Sequence, residues 1–267
     1  MRCTLLSLLE LCEVSFWGLG NWTPLISGIG AAVARLLLHD TNNRVVAVAR
    51  SGDKLKQLQQ EFPGRLIAIA GDVNNSETSR RAVKAAVEEY GQLDALVANA
   101  GILHPVDTVA DAKVDEWKKS FDINFFAVVD LLQVAIPELR KSKFGNVVAV
   151  LSGASRAGYF AWGAYGSSKA ALDHLIGTVA AEEKLVHTIS IAPGVVDTEM
   201  QGDIRTKFSD NMKESAERFH DLHKSGSLLL PEVPATVLAN LALKGWLGDL
   251  NGKYFRYNDE QLKEYAK

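Results

Sequence analysis

The chain has 267 residues, of which 47% are hydrophobic and 23% are charged, and its formal net charge is −3. This composition is typical of an ordinary soluble globular protein, long enough for a sizeable core in one α/β domain, and it gives no reason to expect a nucleic-acid partner. No run of about 20 apolar residues predicts a membrane span, and we predict no metal site.

Apolar runs alternate with amphipathic stretches along the chain. The runs predict buried strands at 45–49, 66–70, 95–98, 147–151 and 188–192, and the stretches predict helices at about 30–39, 53–61, 76–90, 111–140 and 162–185. This alternation predicts a Rossmann-type, doubly wound parallel sheet with helices on both faces, a three-layer α/β/α architecture.

The first two turns of this pattern carry residues suited to a dinucleotide. Gly28, Ile29 and Gly30 open the first predicted helix, where bare backbone and a helix N-terminus can receive a pyrophosphate. Arg50 directly follows a strand, where a cation accepts a ribose 2′-phosphate. This favours NADP(H) over NAD(H), although a solvated loop arginine is the alternative.

Two later turns extend the same interpretation. After the next strand, Asp72 and Val73 are predicted to contact the adenine ring. The strand at 95–98 is followed by Asn99, Ala100 and Gly101, a turn that lets the backbone approach the adenosine ribose.

The most informative residues are a hydroxyl, a phenol and an ammonium placed around one point. Tyr165 and Lys169 are four apart on one face of a predicted helix, so the ammonium lies in reach of the phenol and favours its ionisation. Ser152 ends a strand, at the edge where open α/β sheets bind ligands. The serine can donate to a carbonyl oxygen that the tyrosine protonates, while the hydride has to come from a cofactor. The implied reaction is carbonyl reduction or its reverse.

Aromatic residues lie between the serine and the tyrosine. Tyr159, Phe160 and Trp162 can wall the carbonyl site, which suits flat apolar substrates, or they can pack in the core beneath it. The segment 200–231 has apolar residues at helical spacing and predicts a mobile helical lid, although an ordinary amphipathic surface helix would look the same. His104 either touches the substrate or is simply solvated.

On these residues the chain resembles the short-chain dehydrogenase/reductase family, from about Gly28 to the C-terminus. Ser152 lies thirteen residues before Tyr165, and with Lys169 this fits the family's catalytic spacing. The resemblance implies that Tyr165 is the general acid, Ser152 positions the carbonyl and Lys169 holds the nicotinamide ribose. It adds Asn124 as a fourth catalytic residue that anchors a proton-relaying water; alone, Asn124 indicates an amide that caps a neighbouring carbonyl.

The resemblance also assigns the turn after the strand at 188–192. It implies that Pro193, Gly194, Val196 and Thr198 hold the nicotinamide carboxamide. Within the family, the chain is similar to a fungal branch related to sepiapterin reductase that includes the benzil reductases forming (S)-benzoin. This implies NADPH-dependent reduction of a bulky apolar dicarbonyl or α-hydroxyketone. It also implies a homodimer or homotetramer that pairs through the helices carrying the catalytic amide and phenol.

Residues 1–27 depart from the family pattern, and we treat them as an anomalous segment ahead of a single domain at 28–267. The family's turn reads Thr-Gly, three residues, then Gly-Ile-Gly, but Pro24, with its fixed φ and no N–H, stands at the first glycine. Residues 1–22 contain no strand of the usual kind, the nearest candidate being 14–17, so we expect the first strand to be atypical or missing. A gene-model error, an insertion and a targeting peptide compete as explanations, and the abrupt break favours the first.

Two functions therefore compete. One is an NADPH-dependent carbonyl reductase acting on a small molecule, which the four catalytic residues favour. The other is a folded but cofactor-defective relative that acts as a binding or scaffold protein, which Pro24 favours. Both cysteines fall within residues 1–27, so the rest of the chain needs no disulfide, and we expect a cytoplasmic protein.

Overall fold

A seven-stranded parallel sheet organises the computed structural model, which describes residues 1–7, 28–246 and 248–267. The strand order is β3-β2-β1-β4-β5-β6-β7. The strands are Arg2–Ser7 (β1), Asn43–Ala49 (β2), Leu66–Ala70 (β3), Ala95–Ala98 (β4), Asn146–Val150 (β5), His187–Ala192 (β6) and Tyr254–Arg256 (β7). The predicted α/β class is confirmed, and each predicted strand is present with its ends shifted by at most two residues.

Helices cover both faces of the sheet. They are Ile29–His39 (α1), Gly52–Glu61 (α2), Ser76–Tyr90 (α3), Val114–Phe121 (α4), Ala127–Leu139 (α5), Gly163–Glu182 (α6), Glu199–Thr206 (α7), Ser209–Met212 (α8), Glu217–Lys224 (α9) and Glu232–Lys244 (α10). Apolar side chains of α1, α2 and α10 pack on one face, and those of α3, α5 and α6 pack on the other. The result is the predicted three-layer arrangement.

The prediction that the first strand is atypical or missing is wrong. Arg2–Ser7 forms β1 in the centre of the sheet, in parallel register with β2 on one side and β4 on the other. Leu5 and Leu6 are fully buried on opposite faces, as a central strand requires. In the sequence this apolar run does not lead straight into the glycine turn, and it suggested a targeting peptide instead of a strand. The candidate at 14–17 and Pro24 both lie outside the described residues.

Hydrogen bonds tie β1 to the β4 segment at both ends. The backbone N–H of Cys3 donates to Asp94 Oδ2 at 2.7 Å, and the N–H of Asp94 returns a bond of 2.8 Å to the Cys3 carbonyl. At the other end the Ser7 hydroxyl accepts from the N–H of Asn99 at 3.2 Å. Ser7 thereby helps to shape a turn that the sequence predicts to approach a ribose, a role that no sequence pattern indicated.

The helix predicted at 111–140 is broken into two by a widened turn. Between α4 and α5, Asp122–Phe126 adopts π-helical geometry, a feature that is frequent at functional sites. By length and composition alone the stretch Val114–Leu139 is apolar enough to cross a membrane, a test that the core helix of a globular protein also passes. Leu131, Leu132 and Ala135 instead pack in the core beside the sheet, which is the normal place for an apolar helix in an α/β protein.

Candidate active site

A cleft opens at the carboxyl ends of β2, β4, β5 and β6. The order of strands reverses between β1 and β4, and open α/β sheets bind ligands at such a switch point. The cleft runs from the N-terminus of α1, through the turns after β4 and β5, to α7 and the end of β7. The same cleft can therefore hold both the predicted cofactor-binding residues and the predicted catalytic residues.

The predicted catalytic serine, tyrosine and lysine all line this cleft. Ser152 follows β5 in extended conformation, and its hydroxyl accepts from the N–H of Ala154 at 3.2 Å. Tyr165 and Lys169 lie on the first turns of α6, only 6% and 3% exposed. Lys169 Nζ donates to the carbonyl of Val150 at 2.9 Å, which fixes the ammonium at the end of β5.

The ionisation of these groups differs from the sequence argument. Burial raises the pKa of Tyr165, and a hydrogen bond with the Ser152 hydroxyl opposes that rise in part. Burial also lowers the pKa of Lys169 to about 8. The expectation that Lys169 lowers the tyrosine pKa is therefore not met in this structure, because both groups are desolvated and the ammonium is directed to a backbone carbonyl. A phenol with a raised pKa stays protonated at neutral pH and keeps a proton to give.

Asn124 lies in the π turn, fully buried, and its amide is fully engaged. Its Oδ1 accepts from the N–H of Ile102 at 2.7 Å, while its Nδ2 donates to the Ile102 carbonyl at 2.9 Å and to Ser168 Oγ at 3.0 Å. The amide thus locks the segment after β4 to the helix that carries the tyrosine. The packing is tight, because a Cβ on Gly101 would lie 3.0 Å from Lys169 Nζ and 3.3 Å from Asn124 Oδ1.

The end of the cleft at α1 suits a phosphate group. Gly28 caps α1 with φ 93°, a left-handed conformation that favours glycine. Among the described residues no side chain caps α1, so its first N–H groups can receive an anion, with the positive end of the helix dipole behind them. The predicted cofactor residues that line the cleft are Gly28, Ile29, Gly30, Asn99, Gly101, Tyr165, Lys169, Pro193, Gly194, Val196 and Thr198.

Four predicted cofactor residues do not line it. Arg50 and Asp72 are exposed outside the cleft, and Asp72 Oδ1 accepts from the N–H of Asn74 at 2.9 Å. Val73 and Ala100 are buried against the core, because after a strand end the chain alternates between the two sides. The placement of Arg50, Asp72, Val73 and Ala100 shows that proximity to a strand end selects a turn but not a side chain.

Two cleft residues that follow β2 were not predicted from the sequence. Ser51 and Lys54 line the cleft at the N-terminus of α2, just beyond Arg50. Lys54 Nζ lies 3.4 Å from Glu199 Oε1 on α7, an ion pair between two distant parts of the chain. The signal that could have found them is the start of a helix after β2, which points N–H groups and early side chains at the cleft.

Gln201 on α7 was also missed. It is 2% exposed, lines the cleft, and its Oε1 accepts from Arg205, so its orientation is set by a group that can only donate. Within the described part of the chain its Nε2 has no hydrogen-bond partner. A buried donor without a partner is costly, and a ligand oxygen in the cleft would satisfy it.

An aromatic stack forms the wall beyond the serine. Trp162 stacks between Tyr159 and Phe219, with ring centroids 5.0 and 5.4 Å away, and meets Tyr165 edge-on at 5.6 Å. Tyr159 and Trp162 line the cleft as predicted, and Phe219 joins them. Phe160 does not, because its ring is 40% exposed and faces Lys213 instead.

The predicted lid segment folds as the short helices α7, α8 and α9 over this wall. Met212 and Phe219 are buried against Trp162, whose Nε1 donates to the Met212 sulfur at 3.3 Å. His104 lies outside the cleft, stacked on Phe208 of this segment at 6.3 Å and 3.4 Å from Glu116. The segment covers the cleft, whereas His104 does not reach it.

Comparison with known proteins matches these features. The sequence model described as short chain dehydrogenase matches residues 23–208. An uncharacterized oxidoreductase of Saccharomyces cerevisiae is 44% identical over 91% of this chain and 96% of its own length. A benzil reductase of the same yeast, which forms (S)-benzoin, is 41% identical over 88% and 94%.

Comparison with solved structures gives the same result as the sequence comparison. A short chain dehydrogenase/reductase from Saccharomyces cerevisiae superposes with a TM-score of 0.91 at 39% identity, covering all of both chains. A structure described as a cytoplasmic protein of unknown function from the same yeast superposes with a TM-score of 0.80 at 38% identity, again over all of both chains.

Proposed function

Because the chain belongs to the short chain dehydrogenase family and is thus an oxidoreductase, we propose that it is an NADPH-dependent carbonyl reductase. The observation that carries this proposal is that Ser152, Tyr165 and Lys169 line the same cleft as the N-terminus of α1, which can receive a phosphate. The benzil reductase among its relatives supports a bulky aromatic dicarbonyl as the small-molecule substrate.

The mechanism follows from the three side chains. Ser152 Oγ donates to the substrate carbonyl and holds its oxygen beside Tyr165. Tyr165 gives its phenolic proton to that oxygen as the general acid. A bound nicotinamide would supply the hydride that reduces the carbonyl carbon to an alcohol, while the chain itself supplies the proton. A solvent proton then restores the phenol of Tyr165, while Lys169, held by the Val150 carbonyl, would bind the nicotinamide ribose.

Asn124 keeps this geometry by holding the turn after β4 against α6. We propose that its backbone anchors a water that returns protons to the site, while its side chain bonds fix the turn at Ile102. The aromatic stack around Trp162 excludes water from the reacting carbonyl, which strengthens the electrostatic contacts there.

The cleft residues fit a dinucleotide. The open N–H groups of α1 would hold the pyrophosphate, Asn99 and Gly101 the adenosine ribose, Lys169 the nicotinamide ribose, and the turn from Pro193 to Thr198 the carboxamide. We assign preference for NADP(H) to Lys54, which lines the cleft near the end of β2, since a cation there attracts a 2′-phosphate; Arg50, which the sequence favours for this role, lies outside the cleft.

The alternative, a cofactor-defective scaffold, is not favoured. It depended on Pro24 and on a lost first strand; β1 is in place, and Pro24 lies outside the described residues. We further propose a cytoplasmic homodimer or homotetramer. Cytoplasmic placement is supported by the yeast structure described in those terms, and pairing by the 53% exposed Phe126, the last residue of the π turn.

The test is titration of the purified chain with NADPH and, separately, NADH, followed by quenching of its five tryptophans. Benzil is then added and the loss of NADPH absorbance is measured. We expect tighter binding of NADPH than NADH, and NADPH oxidation that depends on benzil. Binding of neither nucleotide would contradict the proposal.

A further inference from the structure

One charged group in the cleft has no part in the mechanism above. Arg256 ends β7, in register with Ala192 at the end of β6, and lines the cleft. Its backbone N–H is held by Asp259 Oδ2 at 2.8 Å, so the residue leaves the strand at a fixed point. Since β6 lies between β5 and β7, the Arg256 side chain starts two strands away from Ser152.

The guanidinium crosses that gap. A Cβ placed on Gly153, the residue after Ser152, would lie 3.9 Å from Arg256 Nη2 and 3.7 Å from the Tyr159 hydroxyl. The two donors therefore meet on one side of the turn that carries the catalytic serine. The stack of Tyr159 on Trp162 at 5.0 Å holds the phenol in that position.

The guanidinium is available to a ligand. Among the described residues, no carboxylate lies within 4.0 Å of it. A guanidinium presents several donors in a planar fork that matches an oxygen acceptor well, and such charge-assisted bonds are stronger than neutral ones. Placing it beside a carbonyl site makes sense if the substrate carries another oxygen there.

We propose that Arg256, with Tyr159, binds a second oxygen on the carbon next to the carbonyl that is reduced. The substrate class is thus the vicinal dicarbonyls and 2-oxo acids, rather than simple ketones. Arg256 is a specificity-determining residue that holds one oxygen while Ser152 and Tyr165 receive the other, which orients the carbonyl carbon toward the hydride. This rests on the proposed carbonyl reductase activity.

The test compares substrates that differ in the second oxygen. Benzil and phenylglyoxylate have one, whereas trifluoroacetophenone is an activated aromatic ketone without one. In Arg256→Met, kcat/KM is expected to fall about 10- to 100-fold with benzil and phenylglyoxylate. It should change less than about threefold with trifluoroacetophenone. Arg256→Lys should retain part of the activity, because the charge remains while the fork is lost.

Two measurements serve as controls. Lys253→Met removes a cation from the same segment, exposed and outside the cleft, and should leave all three substrates unaffected. The affinity of Arg256→Met for NADPH, measured by tryptophan quenching, should equal that of the unmodified protein. Equal losses on all three ketones, or weakened NADPH binding, would overturn the inference.

The arms also separate the possible ligands. A loss confined to phenylglyoxylate would identify a carboxylate as the second oxygen, and a loss confined to benzil a neutral carbonyl. If the unmodified protein reduces none of the three ketones, the proposed activity itself fails, and the assignment of Arg256 falls with it.

Discussion

The two ends of the cleft are built by different means. At the catalytic end, the functional side chains are buried and held by hydrogen bonds, as with Lys169 on the Val150 carbonyl and Asn124 on Ile102. At the end near α1, the contacts offered to a ligand are backbone N–H groups, with the partly exposed Lys54 at the edge. The catalytic end therefore holds its reacting groups in fixed positions, while the end near α1 binds a ligand mainly through backbone N–H groups.

This difference predicts how each end responds to change. Substitutions at the catalytic end should strongly reduce turnover. They should also change how the free energy of unfolding depends on pH, because the groups there are desolvated. Substitutions at the α1 end should shift affinities only moderately, since exposed charges are screened by solvent.

The largest effect is expected for Tyr165→Phe, which removes the proton donor and retains the ring. Turnover of benzil should fall by about 10³-fold or more, because general acid catalysis is lost. NADPH affinity, measured by tryptophan quenching, should stay nearly unchanged. Turnover that survives this change would refute the mechanism.

The next effect concerns stability against pH. The pKa of Lys169 is lowered from 10.5 to about 8 in the folded chain, so between these values the unfolded chain binds more protons and stability rises with pH. Between pH 7.5 and 9.5 the unmodified protein should gain about 2 kcal/mol relative to Lys169→Met. Urea unfolding of both proteins measures the difference.

Comparing the unmodified protein with Lys169→Met cancels the contribution of other groups that titrate in both proteins. Burial raises the pKa of the Cys3 thiol, which lowers stability at high pH in both proteins alike. Parallel curves for the two proteins across this range would show that Lys169 is not desolvated as the structure indicates.

A smaller effect is expected for Gly101→Ala. The new methyl would press on Lys169 Nζ and Asn124 Oδ1, and the displaced ammonium should lower kcat about tenfold. Because a flexible side chain can yield, the free energy of unfolding should change by less than about 1 kcal/mol. Gly177→Ala in α6, whose Cβ would have an ordinary 3.5 Å contact, is the matched control and should keep full activity. Equal activity of the two variants would count against a tight fit at Gly101.

The smallest effect is expected at the α1 end. Lys54→Ala should weaken NADPH binding about fivefold and leave NADH binding unchanged, since a partly exposed cation contributes about 1 kcal/mol. Arg50→Asp should shift preference from NADPH toward NADH. If neither change alters the ratio of the two dissociation constants, the 2′-phosphate is not recognised at the end of β2.

Sequence alone was sufficient where periodicity and spacing carry the information. The five strands from β2 to β6, the helical placement of Tyr165 and Lys169, and the serine at the end of β5 all follow from such patterns. Which side chain of a turn faces the cleft does not, as Arg50 and Lys54 show, because that depends on where the next helix begins. The role of Arg256 was equally absent from the sequence pattern, since its side chain approaches the Gly153 turn across a whole strand.

The first strand was missed for a related reason. A run from Cys3 to Leu6 is short, and its identity as a central strand is evident only from Asp94 and Ser7, which tie it to β4. The π turn around Asn124 was missed because its residues continue the apolar pattern of an ordinary helix.

The central place of β1 also has a consequence for the order of assembly during synthesis. Cys3 leaves the ribosome before the other strands of the sheet, yet its hydrogen-bond partner Asp94 follows 91 residues later. At about 5–20 residues per second, this strand waits roughly 5–20 s for its second neighbour. Through that interval its buried leucines are exposed on a nascent chain, and a chaperone that shields the first strand would protect the step on which the whole sheet depends.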